Sequence, residues 1–143
     1  MPSINYFFED LQEDLNLTKT EFTNWIIEVI RQNSGELEEI NYIYCSDNYL
    51  LQVNQTYLNH DYYTDIITFD NREDLDDPIE ADIFISIDRV RDYAQQESIT
   101  FLDELNRVMI HGVLHLLGQG DTTDEEKANM REREEASLSL RKF

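Results

Sequence analysis

Cysteine, proline and glycine are scarce in this 143-residue chain, which has one Cys, two Pro and four Gly. The single cysteine, Cys45, excludes a disulfide bond within the chain. It lies in an apolar stretch, which favours a small buried side chain over a reactive thiol. Helix and strand breakers are so few that each one marks an informative point in the chain. With no internal repeat or low-complexity linker, we expect a single domain over residues 1–143.

Membrane-directed segments are also lacking. The first residues include Glu9 and Asp10, where a signal peptide would have a basic start and an apolar run. No stretch approaches the roughly 20 apolar residues that are needed to cross a bilayer. We therefore expect a cytoplasmic protein with no membrane partner.

Positively charged residues are also few. The chain has 11 Lys and Arg and 31 Asp and Glu, which gives a formal net charge of -20. The simplest role of such a surface is solubility, since net charge says little about fold. It argues against non-specific wrapping of nucleic acid, which requires Lys and Arg to displace counterions. A nucleic-acid substrate would therefore need a local basic patch or a metal ion.

Hydrophobic periodicity predicts four strands and five helices. Strands are expected at 4–8, 39–45, 65–70 and 81–87, and the last two should pair antiparallel around the acidic loop 71–80. Five helices are expected. Two have both ends assigned, at 19–33 and 88–97. The other three follow caps at Asp47, Thr100 and Thr123, and the last of these runs to about residue 138. Capping-box patterns occur at Thr18–Glu21 and Thr123–Glu126. This order predicts an α+β domain with a small mixed four-stranded sheet and helices packed on it.

The residues best suited to chemistry lie between 111 and 121, where the sequence reads His-Gly-Val-Leu-His-Leu-Leu-Gly-Gln-Gly-Asp. Their spacing places His111 and His115 on one face of a helix, one turn apart. Gly118 allows the helix to end, so that Asp121 can return a carboxylate oxygen to the same ion. Two nitrogens and one oxygen leave a position open for water, as in catalytic zinc sites. We predict one metal site, at the end of a long helix, in preference to two surface histidines beside a capping glycine.

The pattern is close to the His-Glu-x-x-His-x-x-Gly-x-x-His motif of zinc proteases, but it differs at the general base. The position of that glutamate is Gly112 here. Proteolysis by that mechanism is therefore disfavoured. Either another carboxylate acts as the base, or water activated by the metal needs none.

Three segments resemble the YbeY family of metal-dependent endoribonucleases. The hallmark His-Gly-x-Leu-His-Leu-x-Gly-Tyr-Asp-His is similar to residues 111–121. The segment Leu-Asn-x-x-Tyr-Arg-x-x-Asp-x-Pro-Thr-Asp-Val-Leu-Ser-Phe is similar to residues 53–69, and Gly-Asp-Ile-x-Ile-Ser is similar to residues 81–86. The resemblance covers nearly the whole chain and implies cleavage of single-stranded RNA in ribosomal RNA maturation and ribosome quality control. It also implies ribosomal RNA and small-subunit ribosomal proteins as partners.

Two departures from the family pattern bear on the chemistry. Asp121 replaces the third metal-binding histidine, and Leu58 replaces an arginine. A carboxylate oxygen is an acceptable zinc ligand, and nickel, manganese or iron would also suit the set. A guanidinium at position 58 would suit a phosphate, so either catalysis is weakened or Arg72 or Arg107 substitutes.

Two other functions remain open, namely a non-catalytic, metal-stabilised ribosome-assembly factor and another zinc-dependent hydrolase. The first is motivated by Leu58 and by the acidic surface, which suits a basic ribosomal protein. The residues that the sequence assigns to the site are the metal ligands His111, His115 and Asp121, and the catalytic residues are unknown at this point.

Some further side chains have both a structural and a functional interpretation. Asp61, Thr64 and Asp65 are candidates to line the cleft, and His60 is interpreted as a surface residue rather than an outer metal or substrate contact. Most tyrosines should fill strand faces, although Tyr62 and Tyr63 could stack on RNA bases. In the charged segment 124–135, we expect Glu132 and Glu135 to be solvated. Met130 and Leu138 should face the core, and a few residues of this region should cover the helix that carries the metal ligands.

Overall fold

The computed structural model describes residues 2–11 and 15–143. Its strands are β1 (Ser3–Glu9), β2 (Leu37–Cys45), β3 (Ile66–Asp70) and β4 (Ile79–Ser86). Its helices are α1 (Lys19–Gln32), α2 (Asp47–Leu58), α3 (Ile87–Gln96), α4 (Phe101–Leu116) and α5 (Asp124–Leu138). The element order is the one expected from periodicity. Within the described ranges, no helix is long and apolar enough to span a membrane.

The four strands form one mixed sheet in the order β1-β2-β4-β3. Strands β1 and β4 both run parallel to β2, whereas β3 pairs antiparallel with β4. The predicted α+β class, the mixed four-stranded sheet and the antiparallel pair are thereby confirmed. The topology leaves β3 at one edge, next to the end of α4 that carries the histidines.

The main core lies on one face of the sheet, under α1 and α4. Ile40, Tyr42 and Tyr44 alternate along β2 and are fully buried there. The Tyr42 hydroxyl donates a hydrogen bond to the Met109 carbonyl at 3.1 Å, and the Tyr44 hydroxyl contacts the Met109 sulfur at 3.3 Å. Because both buried hydroxyls are satisfied by one residue of α4, this helix is held in a defined position over the sheet.

The opposite face of the sheet is covered by α2. Leu50 and Val53 pack with Cys45 and Ile67 in a smaller cluster. Burial raises the pKa of the Cys45 thiol to about 12. Cys45 is therefore the buried side chain that its apolar surroundings predicted.

Several predicted boundaries differ from the structure. The cap of α2 is Ser46, whose hydroxyl accepts from the Tyr49 N–H, while the Asp47 carboxylate pairs with Arg89 instead. Thr18 precedes α1 but makes no side-chain capping bond, so the first capping box is absent. The sheet also extends further than periodicity indicated, because β2 and β4 each begin two residues early. The early start of β4 shortens the acidic loop to residues 71–78.

Candidate metal centre

The three predicted ligands lie together where α4 ends. Their ligand atoms are all within 4.8 Å of one another. His111 Nε2 and Asp121 Oδ2 are 3.6 Å apart, and the rings of His111 and His115 meet edge to face with centroids 4.7 Å apart. The structure thus brings the predicted residues into one cluster that could hold a metal ion.

The turn after α4 returns Asp121 to the two histidines. Gly118 has a φ of 100°, and its N–H donates to the His115 carbonyl at 3.0 Å, while the Gln119 N–H donates to the Leu114 carbonyl at 3.0 Å. These two bonds form a Schellman motif, which favours glycine at this position. On the far side of the turn, the second predicted capping box is formed at the start of α5. Both ends of the turn are therefore fixed.

His111 has a carboxylate partner that the sequence interpretation did not identify. Glu134 Oε2 of α5 lies 2.6 Å from His111 Nδ1, and the Glu134 side chain is only 3% exposed. This bond occupies Nδ1 and leaves Nε2, the nitrogen closer to Asp121, available to a metal. A carboxylate in such a position fixes the ring orientation and raises the basicity of the ligand nitrogen.

Arg107 holds Glu134 from the other side. Its Nη1 lies 3.1 Å from Glu134 Oε1, and its other donors bind the buried carboxylate of Glu104. Burial alone would raise the pKa of Glu134, but the hydrogen bond with His111 and the charge of Arg107 outweigh it and lower that pKa below its usual value. Glu134 is therefore ionised and able to accept from His111 at neutral pH.

His115 lies at the mouth of the cluster. Burial of its ring, together with the charge of neighbouring His111, lowers the pKa of His115 below its ordinary value. The ring is thus neutral at pH 7, which is the form that binds a metal.

The donor set fits a divalent transition metal. Two imidazole nitrogens and one carboxylate oxygen bind zinc at about 2.0–2.2 Å in a tetrahedral arrangement, so ligand atoms of one ion are roughly 3.5 Å apart. The 3.6 Å between His111 Nε2 and Asp121 Oδ2 matches that span, and the other ligand atoms, which lie within 4.8 Å, would move closer together when an ion binds. Three protein ligands leave a coordination position open, as in catalytic sites.

Two adjoining cavities lead to the cluster. A cleft of about 490 Å³ is lined by both histidines and by Thr64 and Asp65. A smaller cavity of about 170 Å³ includes Asp65, His111 and Asp121. Thr64 and Asp65 therefore line the cleft as expected, and Asp65 lines both cavities.

Gly112 packs against the sheet rather than contributing to the cluster. A Cβ atom at this position would lie 3.1 Å from Ile66 Cδ1 and 3.2 Å from both Ile83 Cδ1 and Thr68 Oγ1. A larger side chain here would press against side chains of β3 and β4, so the close approach of α4 favours glycine. The geometry therefore disfavours a protease-type glutamate at this position.

Neither candidate arginine replaces the family arginine lost at Leu58. Arg72 is 6% exposed, pairs with Asp70 and donates to the Leu116 carbonyl at 2.8 Å. Arg107 divides its donors between two buried glutamates. Both guanidinium groups are therefore committed to holding the fold around the cluster.

His60 and Asp61 lie outside the cluster. The His60 ring stacks on Tyr62, with centroids 5.1 Å apart, and its Nδ1 is 3.0 Å from the Tyr62 hydroxyl. Asp61 is exposed and accepts a hydrogen bond from Gln55. This geometry favours the surface interpretation of His60. Asp61 does not line either cavity at the cluster, whereas Thr64 and Asp65 do.

The fold and the cluster together define a class, an α+β domain with a candidate catalytic-type metal centre at the end of a core helix. Residues 7–141 match the family model described as Endoribonuclease YbeY. The chain belongs to the YbeY family.

Curated relatives agree with that assignment, and one solved structure has the same fold. The chain is 53% identical to "Endoribonuclease YbeY" of Cytophaga hutchinsonii, over 99% of this chain and 97% of the relative. It is 46% identical to the protein of the same name in Flavobacterium psychrophilum, over 98% and 96%. The solution structure of TM1509 from Thermotoga maritima has the same fold, with a TM-score of 0.68, 24% identity, and coverage of 94% of this chain and 87% of that one.

Proposed function

We propose that this chain is a divalent-metal-dependent endoribonuclease that cleaves single-stranded RNA in the cytoplasm during ribosomal RNA maturation and ribosome quality control. The observation that supports this most directly is the cluster of His111, His115 and Asp121, open to a cleft. The names of the relatives supply the reaction class. Zinc suits the donors best, and nickel or another divalent transition metal is the alternative.

Each residue around the cluster has a defined role in the proposal. His111, His115 and Asp121 hold the ion, and Glu134 is a positioning residue that keeps His111 Nε2 directed at it. When bound, the ion supplies Lewis-acid polarisation of a phosphodiester and activation of water. Asp65 borders both cavities, so its carboxylate is the candidate acceptor for the proton of the attacking water.

The decisive test combines metal analysis with RNA cleavage, using protein purified without a histidine tag. We expect about one metal ion per chain and cleavage of unstructured RNA, both lost in His115→Ala and in Asp121→Ala. Asp65→Asn should keep the metal and lose cleavage. Equal cleavage by the parent and His115→Ala would attribute the activity to a contaminating nuclease and contradict the proposal, as would metal-free parent protein.

One observation favours a second function, that of a non-catalytic, metal-stabilised assembly factor that binds small-subunit ribosomal proteins. Arg72 and Arg107 are both tied to carboxylates, so neither supplies the phosphate-facing charge lost at Leu58. Under this alternative, the protein would associate with ribosomes when the metal ligands are replaced, and purified parent protein would leave RNA uncut.

A further inference from the structure

Two large aromatic side chains in the loop that leads to the candidate metal centre lie outside the hydrophobic core. Tyr62 and Tyr63 are 56% and 48% exposed, whereas Tyr42 and Tyr44 are completely buried. Both lie in the loop after α2, and they precede Thr64 and Asp65, which line the cleft. We refer to Tyr62 and Tyr63 as the tyrosine platform.

The backbone of the platform is fixed before any ligand binds. Asn54 of α2 is 1% exposed, and its side-chain amide donates to the Tyr62 carbonyl at 2.9 Å. The Tyr62 ring is stacked on His60 at an interplanar angle of 22°. A buried polar group committed to an exposed loop holds that loop in place, so binding there costs little further conformational entropy.

The platform is continuous with the cluster through shared cavity walls. A cavity of about 320 Å³ is lined by Tyr63, Thr64, Asp65 and Arg89. Thr64 and Asp65 also line the cleft that contains both histidines. A strand of RNA with one phosphate at the cluster would therefore have neighbouring nucleotides within reach of Tyr63.

The chemistry of the platform suits neutral bases rather than phosphates. The guanidinium of Arg89 lies 4.8 Å from the centroid of the Tyr63 ring, but two of its donors bind Asp47, each at 3.0 Å. In the family segment, an arginine stands at the position of Leu58 and a proline at the position of Tyr63. Compared with that segment, this chain has one cation fewer and one aromatic ring more. Recognition of RNA through rings rather than cations is consistent with its net charge of -20.

We infer that the tyrosine platform binds unpaired nucleobases of RNA by stacking, beside the candidate metal centre. This inference rests on the proposed function, because the cluster supplies the reason for RNA to lie there. Stacking on aromatic rings is tolerant of sequence because every base has a π-face, and the described residues of the platform add no free cation beside it. Binding should accordingly favour single strands over duplexes and depend weakly on salt, since few phosphate counterions are displaced.

The test measures binding of a fluorescent, unstructured 12-nucleotide RNA by anisotropy, in full-length protein carrying His115→Ala to prevent cleavage. Tyr62→Ala and Tyr63→Ala should each weaken binding by about fivefold or more. Tyr62→Phe and Tyr63→Phe keep the aromatic ring and should bind the RNA as tightly as the protein with both tyrosines. The matched control is Phe7→Ala, a 48% exposed aromatic on β1 at the opposite edge of the sheet, which should leave affinity unchanged. Circular dichroism confirms that each variant is folded.

Equal affinities for the alanine variants and Phe7→Ala would overturn the inference and assign the platform to a protein partner or to no ligand. A steep salt dependence that persists in both alanine variants would also overturn it. Because the assay does not require cleavage, failure of the platform is distinguishable from failure of the proposed function, which appears as uncut RNA with the parent protein.

Discussion

At the scale of single residues, the contact that most defines the candidate site is the one between His111 and Glu134. An imidazole has two nitrogens, and the one left for a metal depends on the partner of the other. The buried Glu134 carboxylate occupies Nδ1 at 2.6 Å, and Arg107 holds that carboxylate from behind. The contact therefore leaves Nε2 as the His111 nitrogen that is available to an ion.

Replacement of Glu134 by Gln tests this role. The amide cannot provide the charge that orients and polarises His111, so we expect affinity for zinc to fall by roughly 10–100-fold, as measured by competition with a chromophoric chelator. Glu135→Gln is the matched control, because that side chain is 63% exposed. Thermal unfolding of both variants without metal separates lost ligation from lost stability. Equal zinc affinity for the two variants would show that Glu134 has no positioning role.

Cys45 provides a second prediction at this scale. Burial raises its pKa to about 12, so its thiolate, the reactive form, is nearly absent at pH 8. We expect native protein to react with a thiol-specific reagent at least 100-fold more slowly than protein unfolded in guanidinium chloride. Fast labelling of native protein, with the circular dichroism spectrum unchanged, would contradict this assignment.

The sequence predicted the three clustered residues but not Glu134, and the difference has a physical basis. His111 and His115 are related by helix geometry, and Asp121 follows a glycine turn, so local rules suffice. Glu134 reaches His111 only through the packing of α5 on α4, which no local rule provides. A signal was nevertheless present, since Glu134 lies one helical turn after buried Met130. Glu132 and Glu135 are exposed and Leu138 packs against the core, as expected.

At the scale of elements, identical cap motifs have different outcomes. Thr123 has an extended backbone with a ψ of 162° and forms its capping box. Thr18 has a ψ of 74° and makes no cap bond. A threonine hydroxyl reaches the first turn only from an extended backbone, and tertiary packing of the preceding segment decides that angle. Cap motifs therefore predicted where helices begin, but not whether the side chain caps them.

The end of α4 provides a prediction at this scale. Gly118 has a φ of 100° with open space around it, so Gly118→Ala introduces backbone strain without a steric clash. We expect a loss of about 1–2 kcal/mol in the free energy of unfolding, measured by urea denaturation. Gly118→Asn should lose less, because asparagine tolerates positive φ better. Equal losses for the two variants would contradict a purely conformational role.

At the scale of the whole molecule, the main electrostatic feature is the excess of 31 acidic over 11 basic residues. Self-repulsion at a net charge of -20 opposes the compact state, whereas ion pairs favour it. The pairs nearest the candidate site, between Arg107 and its two glutamates, are mostly buried and are only weakly screened by salt. Repulsion between exposed carboxylates is therefore the component that salt should change most.

This difference predicts how stability depends on ionic strength. Raising NaCl from about 10 to 200 mM shortens the Debye length from roughly 30 Å to below 10 Å, which should relieve repulsion more than it weakens the buried pairs. We expect the melting temperature to rise, by about 3 °C for each kcal/mol gained in a domain of this size, as followed by circular dichroism in metal-free buffer. KCl at equal ionic strength should have the same effect, since screening does not depend on the identity of the cation. A melting temperature that falls with either salt would mean that exposed ion pairs such as Arg31–Glu28 outweigh the repulsion.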